Sequence, residues 1–129
     1  MFRFRLDGSS GVPPYLQLVH QVRQSLLLGY LQEGDRLPTV KDVAADLVIN
    51  PNTVVKAYRQ LEHEGITGAR PGQGTFITAA SPPVPSQAQQ DLRGSLEEWL
   101  RAADEAGMSD EAVTALIAAA RHDMRKERV

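Results

Sequence analysis

Residues 50–59 read Asn-Pro-Asn-Thr-Val-Val-Lys-Ala-Tyr-Arg. Wound as a helix, this stretch turns Val54, Ala57 and Tyr58 inward and leaves Asn50, Asn52, Thr53, Lys56 and Arg59 outward. The outward groups are two amides, a hydroxyl and two cations. A carboxamide can hold adenine through a bidentate pair, and a threonine can bond a base edge or touch a thymine methyl. Lysine and arginine suit phosphate or guanine. Val55 also faces outward, and a thymine methyl is a reasonable partner for it. Lys41 falls in the first turn of another short helix, where backbone amides and a cation both favour phosphate. Arg70 stands beside Gly72 and Gly74 in a glycine-rich turn. From there it can put a guanidinium into a minor groove or onto phosphate. Plainer roles compete: Asn50 is explained by helix capping alone, surface cations are usually just solvated, and hairpin glycines need only make a turn. Their arrangement in one motif is what favours recognition chemistry.

The elements that would position these groups follow from periodicity and punctuation. Phe2, Phe4 and Leu6 alternate with Arg3 and Arg5, which predicts a short half-buried strand, and residues 7–11 read as a turn. Pro13-Pro14 opens a helix carrying Tyr15, Leu18, Val19, Val22 and Leu26 at helical spacing, with Gly29 as its stop. Thr39 caps a second, short helix with Val40, Val43, Ala44 and Leu47 inside, and Asp42 stands where a capping box would close. Asn50-Pro51 is a cap followed by a first-turn proline, and opens a third helix. That helix has Val54, Ala57, Tyr58 and Leu61 inside and Gly65 at its end. Residues 66–78 read as a hairpin turning at Pro71-Gly72-Gln73-Gly74. Helix, short helix, tight turn, helix and hairpin are the layout of a winged helix-turn-helix, whose third helix enters the major groove.

The proline- and serine-rich stretch 79–88 reads as a linker. Two amphipathic helices close the chain, so residues 1–78 form the binding domain and 89–129 a second region. Leu92, Leu96, Trp99, Leu100 and Ala103 line the first of these helices, and Gly107 ends it. Ser109 caps the second, with Val113, Leu116, Ile117 and Ala120 as its stripe. The fold class is therefore mainly α with a small β-hairpin wing: a winged helix-turn-helix followed by two C-terminal helices.

Composition narrows the function less. The 129 residues carry a net charge of −2. Residues 1–80 hold 8 Lys/Arg against 7 Asp/Glu, and residues 81–129 hold 6 against 9. A DNA-binding face must therefore come from local arrangement of charge and not from bulk basicity. Without cysteine there is no disulfide and no thiolate metal site. The start lacks an apolar signal core, and no run is long enough to span a membrane, which suggests a cytoplasmic protein. His20, His63 and His122 show no ligand spacing, the carboxylates no catalytic pairing, and Gly72-Gln73-Gly74 no phosphate-loop motif. The expectation is no enzyme, no metal and no cofactor.

Residues 13–77 resemble the DNA-binding domain of the GntR family of regulators. The matching strings are Pro14-Tyr15-Leu16-Gln17-Leu18, Gly29-Tyr30-Leu31, Gly34-Asp35-Arg36-Leu37-Pro38, Asn50-Pro51-Asn52-Thr53-Val54, Ala57-Tyr58-Arg59-Gln60-Leu61-Glu62, Glu64-Gly65 and Gly72-Gln73-Gly74-Thr75-Phe76-Ile77. Asn50-Pro51-Asn52-Thr53 with Ala57-Tyr58, and the short C-terminal region, are similar to the YtrA subfamily. The resemblance implies DNA-facing roles for Lys41, Asn50, Asn52, Thr53 and Lys56, and a wing tip at Gly72 and Gly74. It also implies repression of a neighbouring operon, often one for an ABC-type transporter. Three positions depart from the family pattern. Lys41 stands for a common arginine, so a bidentate contact is lost. Val48 stands where glycine is frequent. Val55 stands where many members have arginine or serine.

Two helices without a third element seldom fold alone. Their stripes need either the winged domain or a second chain. A twofold homodimer covers Leu92, Leu96, Trp99, Leu100, Val113, Leu116 and Ile117 with one self-complementary patch, with Trp99 as its anchor, and presents two recognition helices to an inverted repeat. The partners expected are double-stranded DNA and a second copy of the chain, with no membrane. A winged helix serving protein–protein interaction is the rival from another class; its third helix would show an apolar outer face. A ligand-responsive sensor is a further alternative, with an unnamed small molecule bound between the winged domain and the terminal helices.

Overall fold

The computed structural model describes residues 2–80 and 86–127. The order is α1 (Pro14–Leu27), α2 (Val40–Leu47), α3 (Pro51–His63), β1 (Thr67–Arg70), β2 (Gly74–Ile77), α4 (Ser86–Glu105) and α5 (Asp110–Glu127). The chain falls into two compact units, Met1–Val84 and Pro85–Val129.

In the first unit three helices enclose one core. Leu18, Val19 and Val22 of α1, Val43 and Ala44 of α2, and Val54, Ala57, Tyr58 and Leu61 of α3 are all buried. These are the apolar stripes that helical spacing predicts. Truncating a fully buried Leu18 or Leu61 to alanine would cost ~2–5 kcal/mol. Three helices end alike. Gly29, Gly65 and Gly107 each have positive φ, and the amides of the glycine and of the next residue turn back onto the helix. In α3 Gly65 N–H donates to the Glu62 carbonyl at 3.0 Å and Ile66 N–H to the Leu61 carbonyl at 3.0 Å. This is the closing pair of a Schellman cap, and an L side chain is strained at that φ.

The N-terminal segment departs from expectation. Phe4 is buried and Arg3 and Arg5 are exposed, as alternation predicts, but residues 2–6 form no strand. Two amides of α1 take the place of a neighbouring strand. Arg5 N–H donates to Gln21 Oε1 at 2.9 Å and Gln21 Nε2 to the Arg5 carbonyl at 2.6 Å. Two residues on, Asp7 N–H donates to Gln17 Oε1 at 2.9 Å and Gln17 Nε2 to the Asp7 carbonyl at 3.1 Å. Glutamines at i and i+4 lie above one another on a helix, so they mimic a two-rung ladder. The expected turn follows. Asp7 Oδ1 accepts from both the hydroxyl and the N–H of Ser9, and these bonds hold its carboxyl below the usual carboxylate range, the hydroxyl bond most of all.

The hairpin is antiparallel, with Thr67 opposite Ile77 and Arg70 opposite Gly74. Gly74, expected in the turn, is the first residue of β2. The turn itself runs over Pro71-Gly72-Gln73, closed by Gln73 N–H donating to the Arg70 carbonyl at 2.9 Å. Gly72 supplies the positive φ needed at the third turn position. Residues 34–37 lie along the outer edge of β2: Ile77 N–H donates to the Asp35 carbonyl at 2.8 Å and Leu37 N–H to the Thr75 carbonyl at 2.9 Å.

In the second unit α4 already includes residues 86–88, which the sequence assigns to a linker. Residues 81–85 of that linker and Arg128 of the charged tail lie outside the described residues. Ser109 Oγ accepts from Ala112 N–H at 3.1 Å, so the expected cap of α5 forms. The apolar stripes remain open to solvent: Leu92, Leu96, Trp99, Leu116 and Ile117 are all exposed. Leu100 and Val113 are half-buried, and Ala103 is buried.

Candidate nucleic-acid interface

The turn joining α2 to α3 is built from two caps and one strained residue. Thr39 Oγ1 accepts from Asp42 N–H at 3.1 Å at the start of α2. Among the described residues no return bond from the Asp42 side chain completes a capping box. At the other end Val48 adopts φ 55°, ψ 54°, a left-handed conformation that β-branched residues rarely take. Two residues later Asn50 Oδ1 accepts from Asn52 N–H at 2.8 Å, and Pro51 fills the first helical position. The cap gives the Asn52 amide an acceptor that the helix itself does not supply, and proline at the first position has no N–H to satisfy. The buried Tyr58 phenol donates to the Pro38 carbonyl at 2.6 Å, which fixes α3 to the chain entering α2. Burial raises that phenol's pKa well above the ordinary tyrosine value.

This geometry sets a helix-turn-helix with α3 as the outer helix. Asn52, Lys56 and Arg59 are exposed and fall on one stripe. Thr53 and Val55 are only half-buried and not fully outward. Asn50 is exposed, but its side-chain oxygen is already committed to the cap. Lys41 is exposed in the first turn of α2.

Two of the cations rest on aromatic rings. The Lys56 ammonium lies 4.0 Å from the Tyr15 ring centre, and the Arg70 guanidinium lies 4.3 Å from the Phe76 ring centre. Helical spacing assigns Tyr15 to the inner stripe of α1, and strand patterning assigns Phe76 no role. Neither spacing nor residue type signals a ring against a cation 41 residues away. The third missed residue is Arg36, which sequence punctuation assigns to a connecting turn. It is bridged antiparallel to Phe76 and so joins the wing.

Ion pairing separates the cations of this unit. Arg3 pairs with Asp46 at 3.1 Å, and Arg23 pairs with Glu64. Among the described residues Arg36, Lys41, Lys56, Arg59 and Arg70 make no ion pair. Arg5, on the N-terminal segment, makes none either. The cations available to an anionic partner are therefore concentrated on α2, α3 and the wing. Among the described residues no group of His, Asp or Glu is arranged to hold a metal ion, and no helix is long and apolar enough to cross a membrane.

Comparison with known proteins gives a consistent result. The sequence profile of bacterial regulatory proteins of the gntR family matches residues 14–77. The chain is 42% identical over 74 residues to the HTH-type transcriptional repressor YtrA of Bacillus subtilis, a match spanning 57% of either protein. It is 35% identical over 102 residues to the HTH-type transcriptional regulator YhcF of the same organism, spanning 79% of this chain and 84% of that one. Among solved structures, YtrA from Sulfolobus acidocaldarius, a GntR-family transcription factor, superposes with a TM-score of 0.55 at 28% identity, covering 76% of this chain and 97% of that one. A transcriptional antiterminator from Listeria monocytogenes superposes with a TM-score of 0.60 at 28% identity, covering 95% of this chain and 92% of that one.

Proposed function

The chain belongs to the gntR family of bacterial regulatory proteins, as a DNA-binding winged helix-turn-helix transcription regulator of YtrA type and not an enzyme, and on that premise we propose that it is a cytoplasmic, dimeric repressor of an inverted-repeat operator. The observation that carries this reading is the split between paired and unpaired cations. Charges held by carboxylates contribute little to phosphate binding, whereas unpaired ones release counterions from DNA when they bind. Asn52 is the base reader of α3, with Thr53 and Val55 reaching the groove beside it and Asn50 contributing whatever its cap leaves over. Lys41, Lys56 and Arg59 hold phosphate. Arg70 docks the wing, with Gly72 allowing close approach at the tip and Gly74 beside it in the same contact.

Dimerisation follows from the open stripes of α4 and α5. Apolar surface of that extent is seldom left in water, and a second copy covers it with the same patch from both sides. Leu92, Leu96, Trp99, Leu100, Val113, Leu116 and Ile117 form that patch. Two chains then carry two copies of α3, and a twofold protein matches a twofold DNA site. Repression is by occupancy: the dimer covers a promoter, and a neighbouring transporter operon is the proposed target.

The test is to titrate the purified protein into its own labelled upstream DNA and into a scrambled duplex, each at two salt concentrations. Tight, salt-weakened binding to the native fragment with an inverted-repeat footprint is expected. Absence of binding to either duplex at low salt would favour a protein-interaction module.

A further inference from the structure

The wing has one outward face, assembled from three separate stretches of chain. In the ladder Arg70 stands opposite Gly74, and Gly68 opposite Phe76. The isolated bridge sets Arg36 opposite Phe76 as well. Residues directly opposed in a ladder project to the same side, and alternate residues of a strand share a face. Arg36, Gly68, Arg70, Gly74 and Phe76 therefore lie on one side. On the other side Leu37, Thr67 and Ile77 are buried.

The two glycines on the outward side are where side chains need room. A Cβ on Gly74 would stand 2.9 Å from Arg36 Nε and 3.4 Å from Arg36 Cζ, so the Arg36 guanidine lies directly over the Gly74 backbone. Arg70 lies over the Phe76 ring at 4.3 Å. Both arginines are exposed, and among the described residues neither guanidinium pairs with a carboxylate or donates a hydrogen bond. The face holds two guanidiniums, an aromatic ring and bare backbone, and at its far end Thr78, whose methyl lies beside Gly68 and whose hydroxyl donates to the Gly65 carbonyl at 3.5 Å.

We propose that Arg36 is a second phosphate-binding residue of the wing, laid along the strip that Gly74 keeps clear, so that Arg36 and Arg70 together grip the DNA backbone from one face. The ligand is the phosphodiester, recognised by charge and by the planar guanidinium fork, independent of base sequence. This assignment rests on the DNA-binding reading above. It gives a residue of the connection before α2 a place in the interface, and it gives Gly74 a reason to be glycine beyond turn formation.

The experiment measures affinity of the full chain, Arg36→Ala and Arg36→Lys for the native and scrambled duplexes across a salt series, with thermal unfolding of each variant as the folding control. Arg36→Ala should lose about tenfold in affinity on both duplexes, and its slope of log K against log salt should fall by about one. Arg36→Lys should keep the slope while losing part of the affinity, because it keeps the charge and loses the fork. A folded Arg36→Ala with unchanged affinity and slope, beside an original chain that binds DNA, would overturn the assignment alone. A loss confined to the native duplex would overturn it too, in favour of a base contact. An original chain that binds neither duplex would overturn the DNA-binding reading and this assignment with it.

Discussion

Lys56, in the second turn of α3, lies with its ammonium 4.0 Å from the ring centre of Tyr15, in the first turn of α1. A lysine on a solvated helix face otherwise wanders among many rotamers, and ordering it on DNA costs entropy. A cation over an aromatic face is worth ~0.5–1 kcal/mol at exposed sites. The ring therefore narrows the positions of Lys56 before any phosphate arrives.

Replacing Tyr15 by phenylalanine keeps the ring, while leucine removes it. Tyr15→Phe should bind DNA like the original chain. Tyr15→Leu should bind about two- to fivefold more weakly, the factor that ~0.5–1 kcal/mol gives. In a Lys56→Ala background the leucine change should add little, since the two residues act as a pair. Equal effects of phenylalanine and leucine would instead assign the hydroxyl a direct contact.

Val48 carries a different cost. It is 88% exposed and sits at φ 55°, where a non-glycine residue loses ~1–2 kcal/mol. Glycine relieves that strain but adds ~0.4–1 kcal/mol of freedom to the unfolded chain. Val48→Gly should thus stabilise the fold by ~1 kcal/mol. In urea this appears as a higher midpoint at unchanged slope; a lower midpoint would show that the conformation is not strained.

Local chemistry was legible in the sequence. Thr39, Asn50 and Ser109 cap the helices they precede, Gly29, Gly65 and Gly107 end theirs, and the buried stripes of α1, α2 and α3 match their periods. Contacts between distant segments were not. Alternation at Phe2 and Phe4 implied a strand, because periodicity reports which side is buried and not what satisfies the backbone, here Gln17 and Gln21. Arg36 read as part of a turn, because only the folded chain lays residues 34–37 against β2. Thr53 and Val55 read as fully outward, whereas the neighbours of α3 half-cover them.

Asn50 and Asn52 should separate stability from recognition. Asn50 caps α3 by accepting the Asn52 N–H, so Asn50→Ala should destabilise the fold by ~1 kcal/mol in denaturant unfolding. Asn52 contributes its backbone to that bond, and its side chain is exposed. Asn52→Ala should leave stability nearly unchanged while weakening operator binding by ~1–3 kcal/mol and relaxing base preference. If Asn52→Ala binds the operator and altered operators as the original chain does, α3 does not read bases through this residue.

Tyr58 sets an alkaline limit. Its phenol is buried, donates to Pro38 and has a raised pKa in the fold. The unfolded phenol titrates at about 10. Below that pH both states keep the proton and the tyrosine contributes no pH dependence. Above it the unfolded chain loses its proton first, so stability falls as pH rises. Tyr58→Phe should be less stable near neutrality by ~1–3 kcal/mol, because the Pro38 carbonyl loses its donor, and should show a shallower decline above pH 10. An unchanged alkaline slope would assign that decline to other groups.

The dimer proposal makes the largest quantitative demand. Trp99 is 38% exposed, Leu116 44% and Leu96 47%, all on the open stripes of α4 and α5. Across a twofold axis each residue is used twice, so one substitution removes two contacts. Burying a leucine is worth ~1.5–3 kcal/mol, and Leu96→Asp should therefore cost the dimer at least ~3 kcal/mol, more than a hundredfold in its dissociation constant. Sedimentation equilibrium at micromolar concentration should find the original chain as a dimer and Leu96→Asp as a monomer, with the circular dichroism of the winged unit retained. Operator affinity should fall with the dimer, since one half-site holds only one α3. A monomeric original chain that still binds the full operator tightly would show that these stripes serve something other than pairing of recognition helices.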